Sequence, residues 1–254
     1  MEKGAVTEKE ILAHFASLDL TPEARFYIQC MARRFAYLLN LTQQIRADID
    51  EKSIRIMDIG PSYFTDLLCR SFPGDEILCL GFDSENSRGG HFPQGIQLEK
   101  VQFSPFDLNQ TQNPSQWIAI PPCHIIVMAE VIEHIHTAPQ WVYRFLRNFL
   151  ADGGAIIVQT PNAAAFFKRL QLLAGKNPYE MIRENSENPG HFREYTGEEL
   201  RILGKQEGLR CETLEYRNYF PAGNRLQRLV FGATDLAAPT LREGITVVYR
   251  KALR

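Results

Sequence analysis

The chain has 254 residues, of which 44% are hydrophobic and 23% charged, and its formal net charge is −2. This is the composition of a globular protein with one large domain or two small ones. The near-neutral charge gives no overall attraction to nucleic acid, so no nucleic-acid partner is predicted. No apolar stretch approaches the ~20 residues of a membrane span, and the N-terminus lacks a signal-peptide core. The five scattered cysteines form no Cys-x-x-Cys pair, which favours reduced thiols and a cytoplasmic location.

The first fifty residues are predicted to be helical. Thr21-Pro22-Glu23 combines a capping hydroxyl, an early proline and a negative charge, which is typical of a helix start. Apolar residues recur at helical spacing from Phe26 to Leu41, so one face of this helix is expected to be buried. We therefore predict an N-terminal helical cap over residues 1–50, ahead of a domain spanning 51–254.

From residue 54 the pattern changes to short apolar strands alternating with helices. This alternation predicts an α/β fold, a doubly wound, Rossmann-like and mostly parallel seven-stranded sheet. The connection 218–243 is long, and it is predicted to be a substrate-side insertion. The predicted strands are Ile54–Asp58, Ile77–Phe82, Ile96–Phe103, His124–Met128, Ala155–Val158, Cys211–Tyr216 and Ile245–Lys251.

Three acidic residues follow three successive predicted strands: Asp58, Asp83 and Asp107. Open α/β sheets bind ligands outside the carboxyl ends of their strands, so these carboxylates are expected to face one crevice. Gly60 would let a ligand approach the first turn closely. Asp83 stands where a second strand presents a carboxylate to ribose hydroxyls, and Asp107 could accept a hydrogen bond from an adenine amino group.

A further cluster follows the fourth strand, in Ala129-Glu130-Val131-Ile132-Glu133-His134. If a helix begins there, Glu130, Glu133 and His134 lie on one of its faces. In one interpretation Glu130 lines a cofactor pocket, Glu133 stabilises a helix N-terminus and His134 packs beside it. In the other, these residues and His191 bind a divalent metal, because two carboxylates and two imidazoles suit Mg²⁺ or Mn²⁺, with Zn²⁺ also compatible.

Over roughly residues 54–208 the chain resembles the class I S-adenosylmethionine-dependent methyltransferases. The segments that carry the resemblance are Met57–Gly60, Gly81–Asp83, Phe106–Leu108, Glu130–His134, Gly153–Val158, Thr160–Asn162 and His191–Thr196. The resemblance implies that Asp58 and Gly60 border the methionine moiety, Asp83 holds the ribose and Asp107 the adenine amine. The cofactor-binding residues that it implies are Asp58, Gly60, Pro61, Ser62, Asp83, Asp107, Leu108, Ala129 and Glu130.

The chain departs from this family in the first loop, where Ser62 and Phe64 occupy positions that usually hold glycine. Phe64 is therefore expected to point into the packing between helix and sheet. A nicotinamide dehydrogenase fits less well, because Gly60–Thr65 is not G-x-G-x-x-G and Pro61 offers no amide to a pyrophosphate. The methyl donor carries no phosphate, so the missing glycines matter less to it.

The Glu-x-x-Glu-His pattern with a later histidine is also similar to the metal-binding set of small-RNA 3′-terminal 2′-O-methyltransferases and of ubiquinone-pathway O-methyltransferases. This similarity implies a metal site at Glu130, Glu133, His134 and His191, where Mg²⁺ or Mn²⁺ would orient a 2′- or vicinal hydroxyl. If the acceptor is a hydroxyl, a base must remove its proton. His134 and His191 are the predicted catalytic bases, with His136 a more exposed third.

The sequence therefore predicts an S-adenosylmethionine-dependent methyltransferase that acts on a small molecule, at oxygen. A cofactor-binding pseudoenzyme, or an interaction module on the same fold, is the alternative that the departures at Ser62 and Phe64 motivate. The metal-assisted methylation of a 2′- or vicinal hydroxyl is a further alternative.

Overall fold

The computed structural model describes residues 4–82, 101–185 and 188–251. The helices are α1 Glu8–Ala16, α2 Pro22–Ala47, α3 Tyr63–Ser71, α4 Pro139–Phe149, α5 Phe166–Leu173, α6 Gly197–Gln206 and α7 Arg225–Ala237. The strands are β1 Arg55–Ile59, β2 Glu76–Gly81, β3 Gln102–Pro105, β4 Cys123–Ala129, β5 Leu150–Pro161, β6 Leu209–Arg217 and β7 Gly244–Lys251. None of the helices in these ranges has both the length and the hydropathy to cross a membrane.

The strands form one seven-stranded sheet in the order β3-β2-β1-β4-β5-β7-β6. Strands β1 to β5 are parallel, whereas β7 runs antiparallel to both β5 and β6. The doubly wound, mostly parallel sheet is thus confirmed. The strand order reverses between β1 and β4. In open α/β sheets the ligand crevice lies at such a switch point, at the carboxyl edge of the sheet.

Helices cover both faces of the sheet, because alternate side chains of each strand point to opposite sides. Ile56 of β1 packs with α1, α2 and α3 on one face. Its neighbour Met57 packs with α4 and α6 on the other face. Helix α2 begins as predicted, with Thr21 accepting a hydrogen bond from the Ala24 amide and proline in the first turn. Phe64 is buried among the α2–α3 packing, as expected.

Three element boundaries differ from prediction. Strand β5 starts at Leu150, ahead of the predicted strand Ala155–Val158, and its pairing shifts from Leu150 opposite Cys123 to Ala155 opposite Ile125. Extra residues there form a bulge, and Gly153 has a positive φ of 74°. The third strand is Gln102–Pro105, and residues 96–100 of its predicted range lie outside the described residues. The 218–243 connection contains α7, whose N-cap Asn224 the sequence interpretation overlooked.

Gly204 on α6 provides a stability prediction, because a Cβ there would lie 2.3 Å from Cε1 of Tyr249. Tyr249 cannot easily move, since it is fully buried and its hydroxyl donates to the Leu200 carbonyl. Ala in a helix gains up to ~1 kcal/mol over Gly, but overpacking costs about 1–3 kcal/mol. We expect Gly204→Ala to lower the free energy of unfolding, as measured by denaturant titration.

Gly232 on α7 is the matched control, because a Cβ there would meet nothing within 4 Å. Gly232→Ala should leave stability unchanged or raise it by up to ~1 kcal/mol. Equal effects of the two substitutions would contradict the close packing of α6 on β7.

Candidate functional site

The crevice at the switch point is bordered by Glu130, directly after β4. Glu130 has φ 56°, and within the described ranges no other residue besides glycine has a positive φ. Its amide donates to the Gln159 carbonyl at 2.7 Å, which extends the β4–β5 pairing before the chain turns away. A non-glycine residue in this region costs about 1–3 kcal/mol, and such strain concentrates at functional sites.

The helix considered for the segment after β4 is a single 3₁₀ turn, Ile132–His134. Glu130 precedes this turn in its left-handed conformation and does not share a helical face with Glu133 and His134. The structure instead brings Glu133 and His134 together with His191: one candidate ligand atom from each of the three lies within 4.8 Å of the others. Glu130 is not in that group.

Glu133 is fully buried. Its Oε2 accepts a hydrogen bond from Thr160 Oγ1 at 2.9 Å, while its Oε1 has no partner among the described residues. Burial, together with the nearby charge of Glu130, raises the pKa of Glu133 well above its usual value. The Glu133 carbonyl accepts from the Phe192 amide at 2.8 Å, which fixes the loop that carries His191.

The rings of His134 and His191 meet edge to face, with centroids 4.7 Å apart. Nδ1 of His134 lies 3.0 Å from the Gly190 carbonyl, and Nδ1 of His191 lies 3.2 Å from Glu194 Oε1. Both Nδ1 atoms are therefore engaged, and each ring keeps its Nε2 for a ligand. Burial and the neighbouring His191 lower the pKa of His134, so its neutral form is favoured.

Glu194 connects this pair to α5 through an ion pair with Lys168. Burial acts to raise the pKa of Glu194, but hydrogen bonds with His191 and Lys168 outweigh it and hold that pKa below its usual value. Glu194 therefore stays charged and can orient His191. His136, the third predicted histidine, is exposed, and its ring contacts that of Phe192.

Asp58 lies at the end of β1, buried, with Thr65 Oγ1 donating to its carboxylate at 2.6 Å. Burial raises its pKa to about 7, although the Thr65 hydrogen bond and the charge of Arg34 oppose the change. Ser62 caps α3 by accepting from the Phe64 amide. The two departures from the glycine pattern thus have structural roles: Ser62 starts the helix and Phe64 fills the core.

Gly60 adopts a positive φ of 76°, and a Cβ there would lie 3.2 Å from Val131 Cγ2. Pro61 packs equally closely on the other side, 3.0 Å from where a Cβ on Gly81 would stand. The first loop therefore approaches both β2 and the turn after β4, and only glycine fits at position 60 without strain.

The remaining predicted cofactor residues lie around the same edge. Asp107 caps a short 3₁₀ helix, where its Oδ1 accepts from the Asn109 amide at 2.8 Å. Leu108 beside it is buried, and Ala129 at the end of β4 is half-buried. Asp83 lies outside the described residues.

The sequence analysis did not predict Arg34, a buried and positively charged side chain of this crevice. It lies on α2, only 4% exposed, with Nη1 3.4 Å from Gln159 Oε1 and Nε without a partner among the described residues. Its charge lowers the pKa values of Asp58 and Glu130, which burial raises. Arg34 stands three residues after Met31 and four before Leu38, on the apolar face of α2, and this was the signal available.

The same charges act on Tyr27 of α2. Burial raises the pKa of Tyr27, Arg34 opposes that change, and the charges of Glu130 and Asp58 add to it. The charges of two carboxylates and a guanidinium therefore act together on the pKa of one half-buried tyrosine.

A protein-family model described as a methyltransferase domain matches residues 31–214. The chain belongs to this methyltransferase family. It is an S-adenosylmethionine-dependent enzyme, as the resemblance predicted.

Solved structures share the fold of this methyltransferase. An S-adenosylmethionine-dependent methyltransferase from Archaeoglobus fulgidus has a TM-score of 0.55 and 10% identity, over 85% of this chain and 94% of that one. A putative sarcosine dimethylglycine methyltransferase from Galdieria sulphuraria gives 0.54 and 12%, over 96% and 98%. The [4+2]-cyclase SpnF gives 0.53 and 14%, over 88% and 82%. Because a cyclase shares the fold, the acceptor must be argued from the site.

The crevice of the methyltransferase fits its methyl donor, which carries an ammonium and a sulfonium. Asp58 and Glu130 are desolvated carboxylates, and burial raises the pKa values of both although the charge of Arg34 opposes that change. The left-handed backbone of Gly60 leaves room for close approach at the first turn. An organic cation in this place would relieve the burial of both carboxylates.

Proposed function

We propose that this methyltransferase transfers the methyl group of S-adenosylmethionine to a hydroxyl of a small-molecule acceptor. The observation that carries the proposal is the pair His134–His191 beside the turn after β4, each ring oriented through its Nδ1. The cofactor supplies an already activated methyl group, so the protein must align the acceptor and receive its proton. Two fixed imidazoles suit that second task.

The proposed cofactor contacts follow the carboxyl edge of the sheet. Asp58 and Gly60, with Pro61 and Ser62, border the methionine moiety. Asp83 and Asp107, with Leu108 beside Asp107, hold the adenosine, while the backbone of Ala129 and Glu130 lines the methyl-transfer pocket. The methyltransferase domain is proposed to span 51–254. The helical cap 1–50 and the insertion 218–243 are proposed to bind the methyl acceptor.

Labelled S-adenosylmethionine and a panel of hydroxyl, amine and carbon acceptors test the proposal. We expect methylation of a hydroxyl compound, and we expect His134→Gln and His191→Gln to lower kcat while calorimetry shows unchanged affinity for S-adenosylhomocysteine. His136→Gln is the control, because its ring lies outside the pair. Methylation of amines or carbon acceptors alone would overturn the assignment to oxygen.

A metal-assisted reaction is a second candidate, favoured by the unpartnered Oε1 of buried Glu133. One carboxylate oxygen of Glu133 and one ring nitrogen from each imidazole lie within 4.8 Å of one another. Histidines that bind metals commonly donate their other ring N–H to a carboxylate or carbonyl, as His191 and His134 are placed to do. The residues therefore fit a divalent ion, and two nitrogen donors favour Mn²⁺ or Zn²⁺ over Mg²⁺. When bound, such an ion lowers the pKa of a coordinated hydroxyl.

Titration with Mn²⁺, followed by electron paramagnetic resonance, tests the metal site directly. We expect one bound ion per chain, at least tenfold weaker binding in Glu133→Gln and in His191→Gln, and no change in His136→Gln. Absence of binding by the wild-type chain at millimolar Mn²⁺ and Zn²⁺ would eliminate this candidate and leave the imidazole pair as the proton acceptor.

A further inference from the structure

Helix α7 has an apolar stripe on its outward side. Leu226, Leu229 and Leu236 are 62%, 72% and 90% exposed. Their spacing places all three on the same side of the helix. The other side of α7 packs against the rest of the protein, where Phe231 and Thr234 are buried. The three leucines therefore contribute nothing to the core of this chain.

A second exposed apolar segment follows β5. Helix α5 has no buried residue, and the chain after it is also open. The exposed side chains of this segment are Leu170, Leu172, Leu173, Tyr179, Met181 and Ile182. In the described part of the chain, nine of the eleven exposed large hydrophobic residues lie on these two segments. Such concentration distinguishes them from ordinary scattered surface residues.

Both segments lie at the carboxyl edge of the sheet. Helix α5 follows the end of β5, while α7 connects the end of β6 to the start of β7, and Pro161 pairs with Gly244 at that edge. The Asn162 side chain joins the two connections by donating to the carbonyls of Thr240 and Arg242. The apolar segments therefore border the same edge as the crevice.

Basic side chains without an ion pair in the described part of the chain lie beside the stripe. Arg225 and Arg228 on α7 are exposed and form no ion pair with any described residue, and the same holds for Lys176 after α5. The acid of α7, Asp235, is already engaged by Asn218 and Arg242. A two-fold contact between copies of α7 would bring arginines together without free carboxylates. A partner that complements this side of α7 must therefore be both apolar and anionic.

We propose that α7 and the 166–182 segment form a membrane-docking surface that seats on an anionic phospholipid bilayer. Exposed leucines on a helix that also carries arginines match the interfacial helices that insert their apolar side between lipid headgroups. Anionic lipids supply the negative charge that Arg225 and Arg228 lack. The proposal is independent of the acceptor's identity, and it places the crevice of the enzyme next to the bilayer surface.

Vesicle co-sedimentation tests this proposal with the full chain. We expect the wild type to bind vesicles of phosphatidylglycerol and phosphatidylcholine, and to bind phosphatidylcholine alone at least tenfold more weakly. The triple variant Leu226→Ser, Leu229→Ser, Leu236→Ser and the double variant Arg225→Glu, Arg228→Glu should each lose at least tenfold in partitioning. Ile202→Ser on α6 and the pair Lys9→Glu, Arg70→Glu are matched controls that should bind like the wild type.

Thermal unfolding and S-adenosylhomocysteine affinity establish that each variant is folded. Failure of the wild type to bind anionic vesicles would overturn the proposal, as would equal losses in the control variants. Sedimentation velocity adds a further decisive outcome. If the wild type is a dimer that does not bind vesicles, and the triple variant is a monomer, the stripe is an interface between copies and the proposal is wrong.

Discussion

Asp58→Asn is expected to weaken S-adenosylhomocysteine binding at least tenfold at pH 8, as measured by calorimetry. In the proposed site the ionised carboxylate of Asp58 receives the positively charged end of the cofactor, and asparagine keeps the shape but not the charge. Burial raises the pKa of Asp58 to about 7, so the wild type should bind the ligand more tightly as pH rises from 6 to 8. The variant should lose this part of the pH dependence.

The same substitution should raise the stability of the ligand-free protein at pH 8. The pKa of Asp58 is about 7 in the folded chain and near 4 in the unfolded chain. Below pH 4 the carboxyl is protonated in both states, so burying its charge costs no folding free energy. The cost grows as pH rises from 4 to 7, and above that it reaches at most ~4 kcal/mol. An unpaired asparagine N–H₂ costs ~1–3 kcal/mol, which leaves a net gain of about 1–3 kcal/mol.

Asp50→Asn is the control for both measurements, because Asp50 is exposed and the substitution removes the same charge. It should change neither the affinity for S-adenosylhomocysteine nor the slope of stability against pH. If Asp58→Asn behaves like Asp50→Asn in calorimetry, Asp58 does not contact the cofactor.

The sheet could be predicted because its signals are local. Wholly apolar strands such as Ile125–Met128 need cover on both faces, and this requirement points to a parallel sheet between helix layers. Phe64 was likewise predictable, since a bulky residue in a turn that usually holds glycine must find a place in the core. For the sheet, the order of the strands is what the structure supplies beyond these local patterns.

The turn after β4 could not be predicted, because tertiary contacts override its local preference. Glu130 to His134 has the spacing of a helical face, yet the Glu130 amide continues the pairing with Gln159 of β5. That bond commits the chain to a left-handed residue and then to one 3₁₀ turn. Local propensity is a weak prior when a neighbouring strand competes for the same amide.

The partners that set the charge balance of the crevice could not be predicted from the sequence. Arg34 and Gln159 are separated by 125 positions, and Lys168 meets Glu194 across 26. Nothing in the local pattern around Arg34 distinguishes it from the exposed Arg33 beside it, except its position on the apolar side of α2. Such pairs become visible only when the fold brings their elements together.

Arg34→Ala is expected to lower the free energy of unfolding by about 3–5 kcal/mol, the cost of removing one partner from a buried charge group. Its loss removes the guanidinium charge that lowers the pKa values of Asp58 and Glu130. For a chain of this size each kcal/mol corresponds to ~2–4 °C, so thermal unfolding should shift down by roughly 10 °C. Arg33→Ala removes the same charge from an exposed neighbour and should stay within ~0.5 kcal/mol of the wild type.

The pH dependence of this loss separates charge from packing. Without Arg34, the folded-state pKa values of Asp58 and Glu130 rise further above their unfolded values, so stability falls more steeply as pH increases. The deficit of Arg34→Ala should therefore be larger at pH 8 than at pH 5. In a background of Glu130→Gln, removal of Arg34 should cost less. A deficit that is equal at both pH values and in both backgrounds would mean that Arg34 acts through its packing alone. The predicted result would instead show that the first long helix, α2, supplies the positive charge on which the crevice depends.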